Sequence, residues 1–272
     1  METKVIAFAN NKGGSGKSTS CSSIAAALSK MGKRVLCIDG DMQLNLTLSF
    51  FNEEKAFEFA KSEYNTHTLL VKGVPAKDCV RHTDYENLDL LPSSTLLSGV
   101  EYELFTKWQR ETVFRRALQP LKDEGVYDFI LVDAPPNLGC LVMNILAASD
   151  YLVVPLEASP WGLFGLANMF DFVSTVREIN PALALLGVLV TKVDTRKNYY
   201  KQTIESLSAL EGVPVFREVI RLDSSVEWAQ DNAKPVVFYR PSSRASKEFE
   251  SVAGEICTRV FGGEEEKSGM PV

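Results

Sequence analysis

KVIAFANNKGGSGKST, residues 4–19, joins a short apolar run to a glycine-rich turn and then to the start of a helical stretch. The run KVIAFA (4–9) reads as a strand, and STSCSSIAAALSKMG (18–32) as a helix closed by Gly32. A strand, a glycine-rich turn and a helix N-terminus point several backbone N–H groups at one spot, and the helix end adds positive potential. Gly13, Gly14 and Gly16 let the backbone approach phosphate oxygens, with Ser15 between them. Lys17 reaches the terminal phosphates of a nucleotide, Ser18 offers its hydroxyl to Mg2+, and Thr19 follows. An ordinary Gly/Ser turn is the plain alternative, and placement between strand and helix argues against it. The loop departs from G-x-x-x-x-G-K-[ST] at its first position, Asn11, and carries a second lysine, Lys12.

Outward from this loop the same pattern repeats. RVLCID (34–39), LDLLP (88–92), YDFILVDAPP (127–136, with the strand ending at Asp133), YLVVPLE (151–157) and LLGVLVTKVD (185–194) read as strands. Helices are expected over 95–119, 163–179, 197–210 and 243–261, while the polar segment 50–87 resists assignment. Strands separated by helices imply an α/β fold: a mostly parallel, twisted sheet with helices on both faces. The chain reads as one domain, 1–262, followed by an acidic tail, 263–272, expected to be disordered.

The 272 residues, 45% hydrophobic, suffice for a sizeable core. A net charge of −6 argues against a generally basic nucleic-acid coat but leaves room for a local patch. Five scattered cysteines without a C-x-x-C point to a reduced, cytoplasmic protein. The longest apolar stretch, ALALLGVLV (182–190), is too short to span a bilayer.

KGGSGKST (12–19) resembles the deviant Walker A motif, KGGxGK[ST], of the ParA/MinD family of P-loop ATPases. In that family the first lysine reaches the partner subunit's nucleotide, which implies that Lys12 senses a second ATP-loaded subunit while Lys17 serves its own. Further segments carry the resemblance in order. CIDGDMQLNLT (37–47) is similar to the family's first switch; the match implies that Asp41 orients the attacking water and that Asp39 lies near the Mg2+ shell. FILVDAPPNLG (129–139) is similar to the Walker B and second-switch segment, with Asp133 holding Mg2+ through water. TKVDTR (191–196) fits the family's T-x-x-D-x-R, which places Thr191 and Asp194 near the nucleotide. T-K-x-D is also a guanine-reading motif of GTPases; the longer pattern favours ATP.

FREVIRLDSSVEWAQDNAKPVVFYRPSSRASKEF (216–249) resembles the family's C-terminal segment from Arg221 onward. Its start departs, lacking the usual proline, so Arg217 is a weaker match for a base-contacting residue. The resemblance implies a small, Soj-like partition ATPase: slow to hydrolyse, homodimeric with ATP, nucleoid-associated and stimulated by a ParB-like partner. It also implies nonspecific duplex DNA binding, through Arg196 and Arg221 by position and Lys247 as an addition. No N-terminal helix-turn-helix is expected, because the loop begins ten residues in.

Three rivals were weighed. A membrane-bound, MinD-like ATPase needs a basic amphipathic C-terminus, whereas the tail reads EEEKSGMPV. An iron–sulfur protein of the same class needs two cysteines per subunit; Cys140 lies seven residues after Asp133, but residues 85–128 contain none, so Cys140 is expected to be a buried small residue. A positioning ATPase acting on a protein cargo remains open. His67 and His82 are expected at the surface, without metal, and Trp108, Trp161 and Trp228 in packing roles.

Overall fold

A computed structural model describes residues 2–159 and 162–268. The elements run β1 (Lys4–Phe8), α1 (Lys17–Lys30), β2 (Val35–Asp39), α2 (Asn45–Leu48), α3 (Glu53–Lys61), α4 (Thr66–Lys72), α5 (Ala76–Cys79), β3 (Arg81–His82) and β4 (Leu88–Leu91). There follow α6 (Val100–Phe105), α7 (Val113–Glu124), β5 (Phe129–Asp133), α8 (Cys140–Ala148), β6 (Tyr151–Glu157), α9 (Gly162–Val176) and β7 (Ala184–Thr191). The C-terminal part holds α10 (Asn198–Ser208), α11 (Ser224–Asp231), α12 (Val236–Tyr239) and α13 (Arg244–Ser268).

The strands form one seven-stranded sheet in the order β3-β4-β2-β5-β1-β6-β7. All neighbours are parallel except the short β3, which runs antiparallel to β4 at the edge. The central strands are buried on both faces, which is why β5, FILVD, is apolar at every position except its final aspartate. One core lies beneath α4, α7, α8 and α9; the other lies beneath α1 and α13. Helix α1 is rich in Ser and Ala and buried almost all round, so small side chains let it sit between the sheet and α13.

Every expected strand is present, and the sheet is the mostly parallel one read from the sequence. The unassigned segment 50–87 folds into three helices and the edge strand, with Asn52 capping α3 and Asn65 forming a capping box with Thr68 on α4. The helix expected over 95–119 is broken. A 3-10 turn (Thr95–Gly99), α6, and a second 3-10 turn (Arg110–Thr112) precede α7, and Gln109, at φ 49, takes the left-handed conformation that interrupts it. Helix α8 was not anticipated.

Several side chains differ from expectation. His67 is buried, its Nε2 2.8 Å from Glu103 Oε1, because α4 packs against α6. His82 is exposed and pairs with Asp89. Trp108 and Trp228 are 86% and 59% exposed, not packed; Trp161 lies outside the described residues. Cys140 is only half-buried. Helix α13 extends through Ser268 into the segment expected as a tail, and residues 269–272 lie outside the described residues. No helix among the described residues is long and apolar enough to cross a membrane.

Candidate nucleotide site

The parallel strands β2, β5 and β1 end side by side, and their C-terminal ends carry Asp39, Asp133 and the glycine-rich loop. Gly14 (φ 75) and Gly16 (φ 87) adopt left-handed conformations that only glycine takes without strain, and Gly16 starts α1. Asn10 fastens the loop to β6: its Nδ2 donates to Pro155 O (2.7 Å) and its Oδ1 accepts from Lys12 N (3.1 Å). From the other side Thr191 Oγ1 donates to Ser15 O (2.8 Å). Thr191 thus braces the loop from behind, and Ser15 is fully buried there.

The Lys17 ammonium is buried and donates to Lys12 O at 3.3 Å, closing the loop upon itself. Burial depresses its pKa, while the nearby charges of Asp133 and Asp41 act the other way. Asp133 is wholly buried and neither of its oxygens accepts a hydrogen bond. Burial, and then the charge of Asp39, push its carboxyl well above the usual range. An orphaned, buried carboxylate beside a nest of N–H groups, a lysine and the Ser18 hydroxyl has the chemistry of a site completed by a cation and a phosphate. The residues present therefore fit Mg2+ and a nucleotide.

Asp39 is different. It is paired in register with Asp133, but its Oδ2 accepts from Thr47 N (2.8 Å) and Thr47 Oγ1 (2.6 Å), and its Oδ1 from Asp41 N (3.1 Å). Burial raises its pKa to about 6 against those bonds. Asp39 is thus a buried anchor that shapes the β2–α2 turn beside Asp133. The turn directs Asp41 into the cavity, where its Oδ1 accepts from Gln43 N (3.1 Å). Gly40 keeps the two carboxylate strands close: a Cβ there would lie 2.7 Å from Asp133 O.

A cavity of about 630 Å3 opens in front of the loop. Gly13, Gly14, Gly16, Lys17, Ser18 and Thr19 form one wall, Asp41 and Pro136 stand above them, and segment 220–223 with α11 forms the far wall. Sequence reasoning missed three of its features. Lys192, held at φ 52, brings its Nζ to 4.0 Å from a Cβ position on Gly14. Gln230 Nε2 donates to Thr19 Oγ1 (2.8 Å), joining α11 to α1. Glu157 and Ser159 hold Lys12 at 2.5 and 2.8 Å from its Nζ. The last was hidden because β6 is 145 residues away in the chain.

Four expected nucleotide contacts are not on the cavity wall: Lys12, Ser15, Asp194 and Arg217. Both oxygens of Asp194 are taken by Arg196 (Nε and Nη2, each 2.9 Å), which lowers the carboxyl to about 2. A guanine reader turns its carboxylate to the base, whereas in this structure Asp194 faces Arg196. Arg217 donates its backbone N–H to Glu255 on α13, outside the wall. Arg221 is on the wall instead, its Nε 2.5 Å from Glu248. Val193 and Arg221 form a bridge that ties segment 220–223 to the chain just after β7, three residues before Arg196. Lys247, on the exposed side of α13, pairs with Glu250 at 3.0 Å.

A family model described as an AAA domain matches residues 3–185. The chain is 35% identical to sporulation initiation inhibitor protein Soj of Bacillus subtilis, over 93% of this chain and 98% of that protein. It is 32% identical to chromosome partitioning protein ParA of Caulobacter vibrioides, over 94% of each. A solved structure of cobyrinic acid a,c-diamide synthase from Mycobacterium smegmatis with bound ATP analog and magnesium superposes with TM-score 0.81. It shares 30% identity, with 96% of this chain and 97% of that one covered. A braced glycine loop, an orphaned carboxylate at the neighbouring strand end and similarity to Soj and ParA over nearly the whole length together place the chain in the ParA/Soj family of P-loop partitioning ATPases.

Proposed function

We propose that this protein binds ATP with Mg2+, closes into a homodimer around it, and in that state binds duplex DNA without sequence preference to segregate or position a DNA cargo. The observation that carries the reading is the disposition of the two loop lysines. Lys17 is buried and turned into the loop, whereas Lys12 is half-exposed and held by Glu157 and Ser159 instead of serving its own cavity. A second charge beside the phosphate site, spent elsewhere in the isolated subunit, suits contact with a partner's nucleotide.

Within the subunit the loop N–H groups and Lys17 cradle the phosphates, and Ser18 and Asp133 hold Mg2+, which when bound neutralises charge developing on the transferred phosphoryl group. Asp41 orients a water for attack on the terminal phosphorus; the bond to the bridging oxygen breaks and ADP leaves with the electrons of that bond. Slow intrinsic hydrolysis, accelerated by a ParB-like partner, belongs to the same reading.

The proposed DNA contacts Arg196, Arg221 and Lys247 are each engaged by a carboxylate of their own chain. Phosphate contact must displace or share those pairs, so a single subunit binds weakly and two subunits side by side bind usefully. The protein is accordingly placed on the nucleoid, in the cytoplasm.

The test is binding to nonspecific duplex DNA at low salt with no nucleotide, ADP, ATP or GTP. Binding with ATP that fades as salt rises supports the reading. A nucleotide-dependent dimer that binds no DNA moves it to a positioning ATPase with a protein cargo.

A further inference from the structure

Helix α8 follows directly on the turn Ala134–Gly139, and it begins without a capping side chain: its N-cap residue is Gly139. The orphan donors of its first turn are satisfied from another element. Glu101, the second residue of α6, reaches across so that Oε2 accepts from Cys140 N (2.7 Å) and Oε1 from Leu141 N (3.2 Å). The carboxylate occupies the place a side chain at Gly139 would take; a Cβ there would lie 2.9 Å from Glu101 Cδ and 3.2 Å from Asn137 Nδ2. Glycine at 139 and glutamate at 101 are therefore one device, a cap supplied from outside the helix.

The turn that ends at this cap starts at Asp133 and carries Pro136 onto the cavity wall. Its front end is fixed by the sheet, where Ala134 N donates to Phe8 O (3.0 Å) and Gly40 N to Asp133 O (2.9 Å). Glu101 fixes its rear end. The body of α8 is held separately. Asn144 Oδ1 accepts from Phe114 N (3.1 Å), and its Nδ2 donates to Arg110 O (2.7 Å). Removing the Glu101 carboxylate thus frees the turn without releasing the helix.

We infer that Glu101 is a positioning residue for hydrolysis: by capping α8 from α6 it sets the Ala134–Gly139 turn at the height over the cavity that the reaction requires. It touches neither nucleotide nor metal. The inference rests on the ATPase reading above and names the residue on which the geometry of its second carboxylate segment depends.

The experiment is steady-state ATP hydrolysis by the full chain with Mg2+. Wild type, Glu101→Ala, Glu101→Ala/Gly139→Ser and Asn52→Ala are compared, each with its melting temperature. In Glu101→Ala, kcat falls about tenfold or more while KM for ATP stays within about twofold, because misplacement by a fraction of an ångström penalises the reaction more than binding. Asn52→Ala removes a cap of the same kind from α3, where Asn52 Oδ1 accepts from Lys55 N (3.0 Å); it lowers the melting temperature and leaves kcat unchanged. In the double variant the serine hydroxyl caps α8 in the space the carboxylate left, and kcat recovers at least in part. A wild-type kcat in Glu101→Ala overturns the inference, as does a loss no greater than that of Asn52→Ala. A wild type that does not hydrolyse ATP overturns the ATPase reading instead.

Discussion

The Lys12 ammonium lies 2.5 Å from Glu157 Oε2, within one chain, and both side chains are about one-third exposed. Such a pair is weak in water and is readily exchanged for a better anion. Glu157→Gln is expected to loosen Lys12 and bring ATP-dependent self-association to several-fold lower protein concentration. Lys12→Ala keeps nucleotide binding and stays monomeric. Sedimentation with ADP and with ATP reads both; unchanged association in Glu157→Gln means the pair does not compete with dimerisation.

Asp41 lines the cavity, and the function proposed above gives it the attacking water. Asp41→Ala is expected to bind ATP, dimerise, and lose hydrolysis by about a hundredfold or more. Normal hydrolysis by this variant would remove Asp41 from the reaction.

The two buried strand-end aspartates should cost the nucleotide-free protein stability as pH rises. Burial raises Asp39 to about 6 in the folded chain, above its ordinary value of 3.8, and holds Asp133 well above the ordinary value too. The folded state therefore holds protons that the unfolded chain has released, so stability falls from about pH 4 upward through 6 and beyond. Asp133→Asn removes the Asp133 share of this slope and raises the melting temperature at pH 8 in the absence of ligand. Mg2+ with nucleotide is expected to stabilise wild type more at pH 8 than at pH 6. A melting temperature whose pH dependence is the same in Asp133→Asn as in wild type contradicts this account.

Asp194 is bound to Arg196 and stands off the cavity wall. Asp194→Asn should leave ATP affinity within about twofold and should not alter the preference for ATP over GTP. Competition with a fluorescent nucleotide measures both, and a lost preference restores the base-reading role.

Gly40→Ala places a methyl 2.7 Å from Asp133 O, between two paired strands that cannot part. A destabilisation of about 1–3 kcal/mol is expected from this overpacking. Nucleotide affinity falls with it, since Asp133 has to shift. Denaturant unfolding of the apoprotein is the measurement.

Strands were legible because each central one is apolar along its whole length and ends at a recognisable loop or aspartate, as β5 does at Asp133. The loop chemistry was legible because its residues are adjacent in sequence. Contacts across the fold were not. Thr191 at Ser15, Glu157 at Lys12 and Glu101 at Cys140 join positions 176, 145 and 39 residues apart, and no local pattern announces them. The pairing of Asp194 with Arg196 is a local contact, two residues apart, that the motif match alone did not reveal. Trp108 and Trp228 failed because hydrophobicity alone does not say which aromatic faces inward.

Strand β1 lies between β5 and β6 at the centre of the sheet, and its loop is fastened to Pro155 and Thr191. During synthesis KVIAFA emerges well before β5 and β6, the strands between which it must insert. The phosphate loop is thus among the last parts to become rigid, and closure over such long separations is slow. A nascent chain halted before β5 carries β1 as an unpaired apolar strand, a natural target for a chaperone, and cannot yet hold a nucleotide.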